Sequence, residues 1–153
     1  MLFILIQRSS FRRLYFTLIS LCSISTGYAQ SGIIHQREFD HNDTNRSYLL
    51  YVPEAYDGTT KWPLTINYHG FTGNPMSQID VTQMNVAADL VDFIVAYPAG
   101  LDVEWGFTTD TGWNTGRLSQ TDDIDFSLKM LEHIQSDYFI DSQRIHLTGW
   151  SQG

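Results

Sequence analysis

The stretch Ile145-His146-Leu147-Thr148-Gly149-Trp150-Ser151-Gln152-Gly153 decides how this chain is read. Its first four residues suit a strand, and its last five spell G-x-S-x-G. In that pentapeptide the serine rides on a tight turn between a strand and a helix, and flanking glycines let the two approach closely. Alone the pattern is weak: with glycine at about 7% and serine similar, it arises by chance in about one chain in twenty of this length. Its value depends on whether the preceding residues build the sheet such a turn needs.

Working back from the motif, Asp141 to Arg144 reads as a turn, and Ile124, Leu128, Leu131, Ile134 and Tyr138 recur at helical spacing. Thr121, Asp122 and Asp123 stand at that helix's start, where acids suit the helix dipole. The polar, glycine- and tryptophan-rich stretch Ala99 to Gln120 is too long for a plain connection and is a candidate functional loop. Phe93 to Tyr97, closed by Pro98, is a continuous apolar run of the kind buried on both faces of a parallel sheet. Pro75 to Leu90 predicts one helix. Tyr48 to Val52 and Pro63 to Tyr68 predict strands, and the Asp57-Gly58 turn between them predicts that they are neighbours. Strand and helix alternate, as in an α/β protein with a mainly parallel sheet, whose ligands bind at the carboxyl ends of the strands. Both His69-Gly70 and Ser151 fall at such ends.

The first 29 residues have a different character. Arg8, Arg12 and Arg13 precede the apolar run Leu14 to Ile24, and Gly27-Tyr28-Ala29 puts small residues where a leader peptidase reads. This predicts a secretory signal over 1–29 with cleavage after Ala29, and a mature segment over 30–153. A membrane anchor fits less well, because spanning a bilayer takes about twenty apolar residues. The single cysteine, Cys22, lies in the leader, so the mature segment has no thiol for catalysis, disulfides or metal. All seventeen acids lie after the leader with six bases, a net charge of −11. Nucleic acid, which needs a basic surface, is thereby an unsuitable partner. No zinc motif, phosphate loop or dinucleotide fingerprint occurs, and neither a cofactor nor a metal is expected.

A serine hydroxyl becomes a nucleophile when a histidine takes its proton and backbone donors stabilise the oxyanion that forms. One donor is expected from the amide after the nucleophile, Gln152. The second is expected from the loop His69-Gly70-Phe71-Thr72-Gly73-Asn74, from Phe71, with Thr72 as the close competitor. Standing alone, His69-Gly70 would be an ordinary strand-ending turn. Asp122 and Asp123 are expected to complement a helix dipole and hydrogen-bond at the sheet edge rather than serve as the catalytic acid. Trp113-Asn114 is balanced between an acyl pocket and packing, and Trp150 is expected to pack. The sequons Asn42-Asp43-Thr44 and Asn45-Arg46-Ser47 arise easily by chance.

Several further pieces occur in a telling order: Arg46-Ser-Tyr-Leu-Leu-Tyr-Val-Pro53, Trp62-Pro63-Leu64 leading to His69-Gly70, Tyr97-Pro98, Gly112-Trp113-Asn114, Asp122-Asp123-Ile124, and Tyr138-Phe-Ile-Asp141 with Arg144 through Gly153. Together they resemble the poly(3-hydroxybutyrate) depolymerase-like and feruloyl-esterase-like branch of the α/β-hydrolases, which includes acetylxylan esterases. The resemblance implies an α/β-hydrolase fold, here cut after the nucleophile strand. It also implies a secreted serine esterase, extracellular or periplasmic, with Ser151 as nucleophile and an acylated polysaccharide or polyester as substrate. The triad acid and histidine would then lie beyond Gly153, because chain order in this fold is serine, acid, histidine. Two other readings compete: an α/β-hydrolase-type serine peptidase, and a non-catalytic binding domain.

Overall fold

The computed structural model describes residues 30–115 and 121–153. The expected leader with Cys22, and residues 116–120 of the long polar stretch, lie outside them. In chain order the elements are β1 (Ile33–His41), β2 (Thr44–Val52), β3 (Trp62–Tyr68), α1 (Pro75–Thr82), α2 (Met84–Val91), β4 (Ile94–Pro98), β5 (Leu101–Trp105), β6 (Thr108–Gly112), α3 (Asp123–Asp137) and β7 (Ile140–Gly149).

The main sheet has the order β1-β2-β4-β3-β7. β3 runs parallel to β4 on one side and to β7 on the other, while β2 is antiparallel to both β1 and β4. The parallel half therefore carries the serine, and an antiparallel hairpin extends the other side. The neighbour relation expected of β2 and β3 is not found, because β4 lies between them. All five residues of β4 are buried, and such a strand is stable only with partners on both sides and layers on both faces. Asp57 instead closes a local turn, accepting from the Thr59 amide and hydroxyl.

Alternating residues send side chains to opposite faces of the sheet. Leu50, Leu64, Ile66, Ile94 and Ala96 face α3 and meet Phe126, Met130 and Ile134. Tyr51, Val95 and Tyr97 face the other way and meet Ile79 and Ala88 of α1 and α2. The sheet is the middle of three layers. Burying one such aliphatic side chain contributes about 1.5–3 kcal/mol, so these two clusters hold the helices in place.

The single helix expected over Pro75 to Leu90 is two. Gln83 adopts φ 50°, ending α1 and opening α2. A buried polar network occupies the space beneath the break: Gln78 donates to Asn67, and Asn67 donates to the Thr82 hydroxyl. Pro75 begins α1 as expected, preceded by a capping box in which Asn74 and Ser77 exchange side-chain to backbone bonds. Asn74→Ala is expected to cost about 1 kcal/mol, read as a lower midpoint in urea.

Three further elements depart from the sequence reading. β1 pairs with β2 through a two-residue turn in which Asn42 and Asp43 have φ 49° and 58°, the left-handed pair that matches strand twist. The long polar stretch contains the hairpin β5–β6, turned at Gly106 with φ 65°. The turn expected at Asp141 to Arg144 is a bulge inside β7, where pairing jumps from Trp62↔Ile140 to Leu64↔Ile145. Asp141 stabilises it by accepting from the Gln143 amide and the Arg144 guanidinium.

Candidate active site

Parallel pairing of β3 with β7 sets Tyr68 against Gly149, so the two strands end together. Just past that point the Trp150 amide donates to the Tyr68 carbonyl at 3.1 Å, and the Gly153 amide turns back to the Trp150 carbonyl at 3.0 Å. Between them Ser151 is exposed and takes φ 58°. A non-glycine residue in this region is uncommon and carries strain that the surroundings must hold.

Three glycines make the turn possible. A Cβ on Gly149 would overlap the Gly153 backbone, and one on Gly153 would overlap the Tyr68 and His69 carbonyls. At Gly70 a Cβ would lie 3.1 Å from Trp150 and 3.3 Å from the Ser151 Cβ. The loop after β3 thus presses directly on the serine turn, which brings the two expected donor segments to one rim.

That loop is fastened to the β5–β6 hairpin. Thr72, also left-handed at φ 67°, donates its amide to the Thr111 carbonyl at 2.8 Å. The Thr111 hydroxyl donates to the Gly73 carbonyl at 2.6 Å, and the Gly73 amide closes the turn onto Gly70. Gly112 joins both sides of the rim: a Cβ there would reach 3.2 Å from the Phe71 ring and would overlap the Gln152 side-chain oxygen. That oxygen accepts the Trp113 amide at 3.2 Å, so Gln152 is held through its side chain while its own amide sits beside Ser151.

His69 is buried, and its bonds fix its tautomer. The Gly100 amide donates to Nε2 at 2.9 Å, leaving Nδ1 to carry the proton and donate to the Gly70 carbonyl at 2.8 Å. Burial pushes its pKa below the usual 6.5, opposed in part by the bond to Gly70. A neutral ring with both nitrogens engaged braces the loop. The depressed value fixes the sign of a pH effect: the unfolded chain takes up this proton first, so the stability from neutral His69 is full above 6.5 and is lost as pH falls from there toward the folded value. His69→Gln is expected to flatten this limb of an unfolding-versus-pH profile.

The other histidines are occupied elsewhere. His41 bonds Asp125 at 2.8 Å, His133 meets Phe39 edge-on, His35 packs against Tyr138, and His146 is exposed on β7. Asp122 caps α3 by accepting the Asp125 amide. Asp123 accepts from the Arg46 guanidinium at 2.9 Å and from the Asn114 amide at 2.7 Å, while Asn114 donates onward to the Thr121 carbonyl. Both aspartates stand at the helix start as expected, Asp122 as its cap and Asp123 as a bridge between Arg46 and the Asn114 backbone. Trp113 packs beneath the loop: it is buried, its indole N–H donates to the His69 carbonyl at 2.7 Å, and it meets Tyr68 edge-on. Trp150 departs from expectation, since its side chain is 63% exposed.

Sequence reasoning gave no role to Arg46, Thr111 or Gly112. Arg46 is 2% exposed, with its guanidinium 3.7 Å from the centre of the Phe126 ring. Its signal was a lone cation opening a β-rich run; Thr111 and Gly112 offered none. Beside the serine turn, Trp113, Ile124, Leu128, Leu147 and Gln152 line an apolar groove of about 460 Å³ between α3 and β7. Among the described residues no cluster of three or more His, Cys, Asp or Glu could hold a metal, and no helix is long and apolar enough to cross a membrane.

No protein-family model matches the chain. A bifunctional acetylxylan esterase/xylanase of Neocallimastix patriciarum is 30% identical over 91 residues, covering 60% of this chain and 12% of that protein. Feruloyl esterase B of Piromyces equi is 29% identical over 109 residues, covering 71% of this chain and 20% of its own length. The chain therefore spans a fifth or less of the curated relatives it matches. Among solved structures, a ferulic acid esterase superposes with a TM-score of 0.62 at 16% identity, over 82% of this chain and 51% of that one. The superposition extends over most of the described residues, and the chain has the α/β-hydrolase fold.

Proposed function

We propose that this chain carries the nucleophile of a secreted serine esterase that cleaves carboxylic esters, with acyl groups on plant polysaccharide as the substrate class. The observation that carries the reading is Ser151, held left-handed at the carboxyl end of β7 with Gly70 pressed against it. In this reading the Ser151 hydroxyl attacks the ester carbonyl while a histidine takes its proton. The amides of Phe71 and Gln152 receive the oxyanion, the alcohol leaves with the proton, and water then hydrolyses the acyl-enzyme. His69 is excluded as the base because both ring nitrogens are engaged. The base and its carboxylate partner are assigned to chain following Gly153, in the order this fold uses. The acetylxylan and feruloyl esters for which the two relatives are named support the substrate class, and the basic-then-apolar pattern of residues 1–29 supports export.

The test is to express the complete reading frame and treat the product with a fluorophosphonate probe, then compare a methyl ferulate, acetylated xylan and a polyhydroxybutyrate suspension as substrates. Labelling confined to Ser151 with turnover of a polysaccharide-type ester supports the proposal. Turnover of the polyester alone would move the substrate class, and a folded product that neither labels nor turns over any ester would reject the esterase.

A further inference from the structure

The segment before β1 is held by groups distant in sequence. Gln30 accepts a bond at its side-chain oxygen from Asn85 at 3.1 Å. The Ser31 amide donates to Asp89 Oδ2 at 3.0 Å, and the Gly32 amide donates to the Tyr51 hydroxyl at 2.8 Å. A Cβ on Gly32 would overlap the Val52 carbonyl, so the backbone lies directly on the end of β2. Residues 30–32 are therefore docked onto α2 and β2 along one path.

Asp89 is the unusual member of this set. Its Oδ2 accepts from both the Ser31 amide and the Tyr51 hydroxyl, the latter at 2.7 Å, whereas its Oδ1 is buried and accepts nothing. A buried carboxylate oxygen without a donor is unfavourable. The Gln30 nitrogen is a donor that the chain can bring to it. It lies one residue before the amide already bonded to this carboxylate, and consecutive Cα atoms are about 3.8 Å apart. As a peptide amide that nitrogen offers one hydrogen; as a chain terminus it is a cation with three.

We infer that Gln30 is the processed amino terminus of this protein and that Asp89 is the seat of its ammonium group. A membrane leader peptidase that reads the small residues Gly27 and Ala29 would catalyse the step. Water adds to the Ala29 carbonyl, the Ala29–Gln30 peptide bond breaks, and a carboxylate is left on Ala29 and an ammonium on Gln30. The ammonium then pairs with Asp89 Oδ1. Gln30 is exposed, as a terminus must be. Tyr51 is the ionisable group facing Asp89, and burial followed by this bond pushes its hydroxyl up to about 12. It stays a neutral donor to the carboxylate. This inference rests on export and is independent of the ester chemistry.

The experiment is to export the complete gene product from a secreting host, sequence its amino terminus, measure its intact mass and titrate its α-amine by NMR after isotopic methylation. The expected product begins Gln-Ser-Gly, with an amine that titrates above the ordinary range of about 7.7–8.0 and returns toward it in Asp89→Asn. Stability from the pair would then be complete below the unfolded value and would fade as pH rises through the folded one. A different first residue, a mass showing loss of ammonia from Gln30, or a wild-type amine titrating in the ordinary range would overturn the inference. The wild-type titration decides the matter even if Asp89→Asn does not fold.

Discussion

Exchanging Ser151 for alanine in the complete protein is expected to lower kcat for ester hydrolysis by about 10⁶-fold, the scale seen when a triad nucleophile is removed. The fold should survive, because alanine keeps the Cβ that the turn already accommodates and removes only the hydroxyl. Circular dichroism and the urea midpoint should match the parent while turnover and fluorophosphonate labelling disappear. Activity retained within tenfold would remove Ser151 from the mechanism. Gly70→Ala is the informative companion, since its Cβ would crowd Trp150 and Ser151 at 3.1 and 3.3 Å. It leaves every reacting group in place yet shifts the turn against the loop, and catalysis dependent on that geometry falls steeply for displacements of this order.

The second large effect is expected far from the serine. Arg46→Ala should destabilise the protein by about 3–5 kcal/mol, because it strands the partly buried Asp123 carboxylate without its cation. Single domains are stable by only about 5–15 kcal/mol, so the variant would sit near its folding limit. The guanidinium also covers the Phe126 ring and donates to the Ala99 carbonyl, both lost in the same change. Urea unfolding of Arg46→Ala, Asp123→Asn and the double variant would separate these contributions. The expected pattern is a double variant distinctly more stable than the sum of the two losses. A cost below about 1 kcal/mol for Arg46→Ala would place the pair among surface ion pairs, which contribute little. Arg46 reaches the site through Asp123, which holds the Asn114 amide one residue beyond the Trp113 amide that orients Gln152.

The parts of this architecture that sequence made legible are those where burial and local chemistry agree. Ile94 to Pro98 is apolar and buried throughout, and α3 forms where the helical spacing places it, although of the residues that set that spacing only Ile134 is buried while Ile124 and Leu128 are exposed beside the buried Phe126 and Met130. Elsewhere the two conflict. β1 alternates cleanly, but its inward positions include His35, Arg37 and His41 beside Phe39, so a pattern sought in apolar residues passes over it. Its clearest mark was the Asn42-Asp43 pair, which tolerates left-handed backbone and was read as part of a sequon. The β5–β6 hairpin is hidden by polar residues for the same reason. The break at Gln83 lies in a segment whose apolar spacing suits one helix, and only the buried polar network beneath it gives a reason for two. At the site the turn and its glycines were readable because steric demand is local. The tie of the loop to the hairpin was not, because it depends on a bond from Thr72 to Thr111, almost forty residues further along the chain.

The two ends of the β5–β6 hairpin differ in what they bear. At its base Thr111 and Gly112 touch both sides of the rim around Ser151, and substitution there disturbs the groups proposed to hold the oxyanion. At its tip a Cβ on Gly106 would meet nothing within 4 Å, and Phe107 stands fully in solvent. Mutational freedom is thus graded along a few residues of one hairpin. Its outer turn can change in size, polarity and aromatic content while the chemistry stays intact. Such a layout lets a lineage explore new substrates by varying an appendage and keep the reacting centre unchanged.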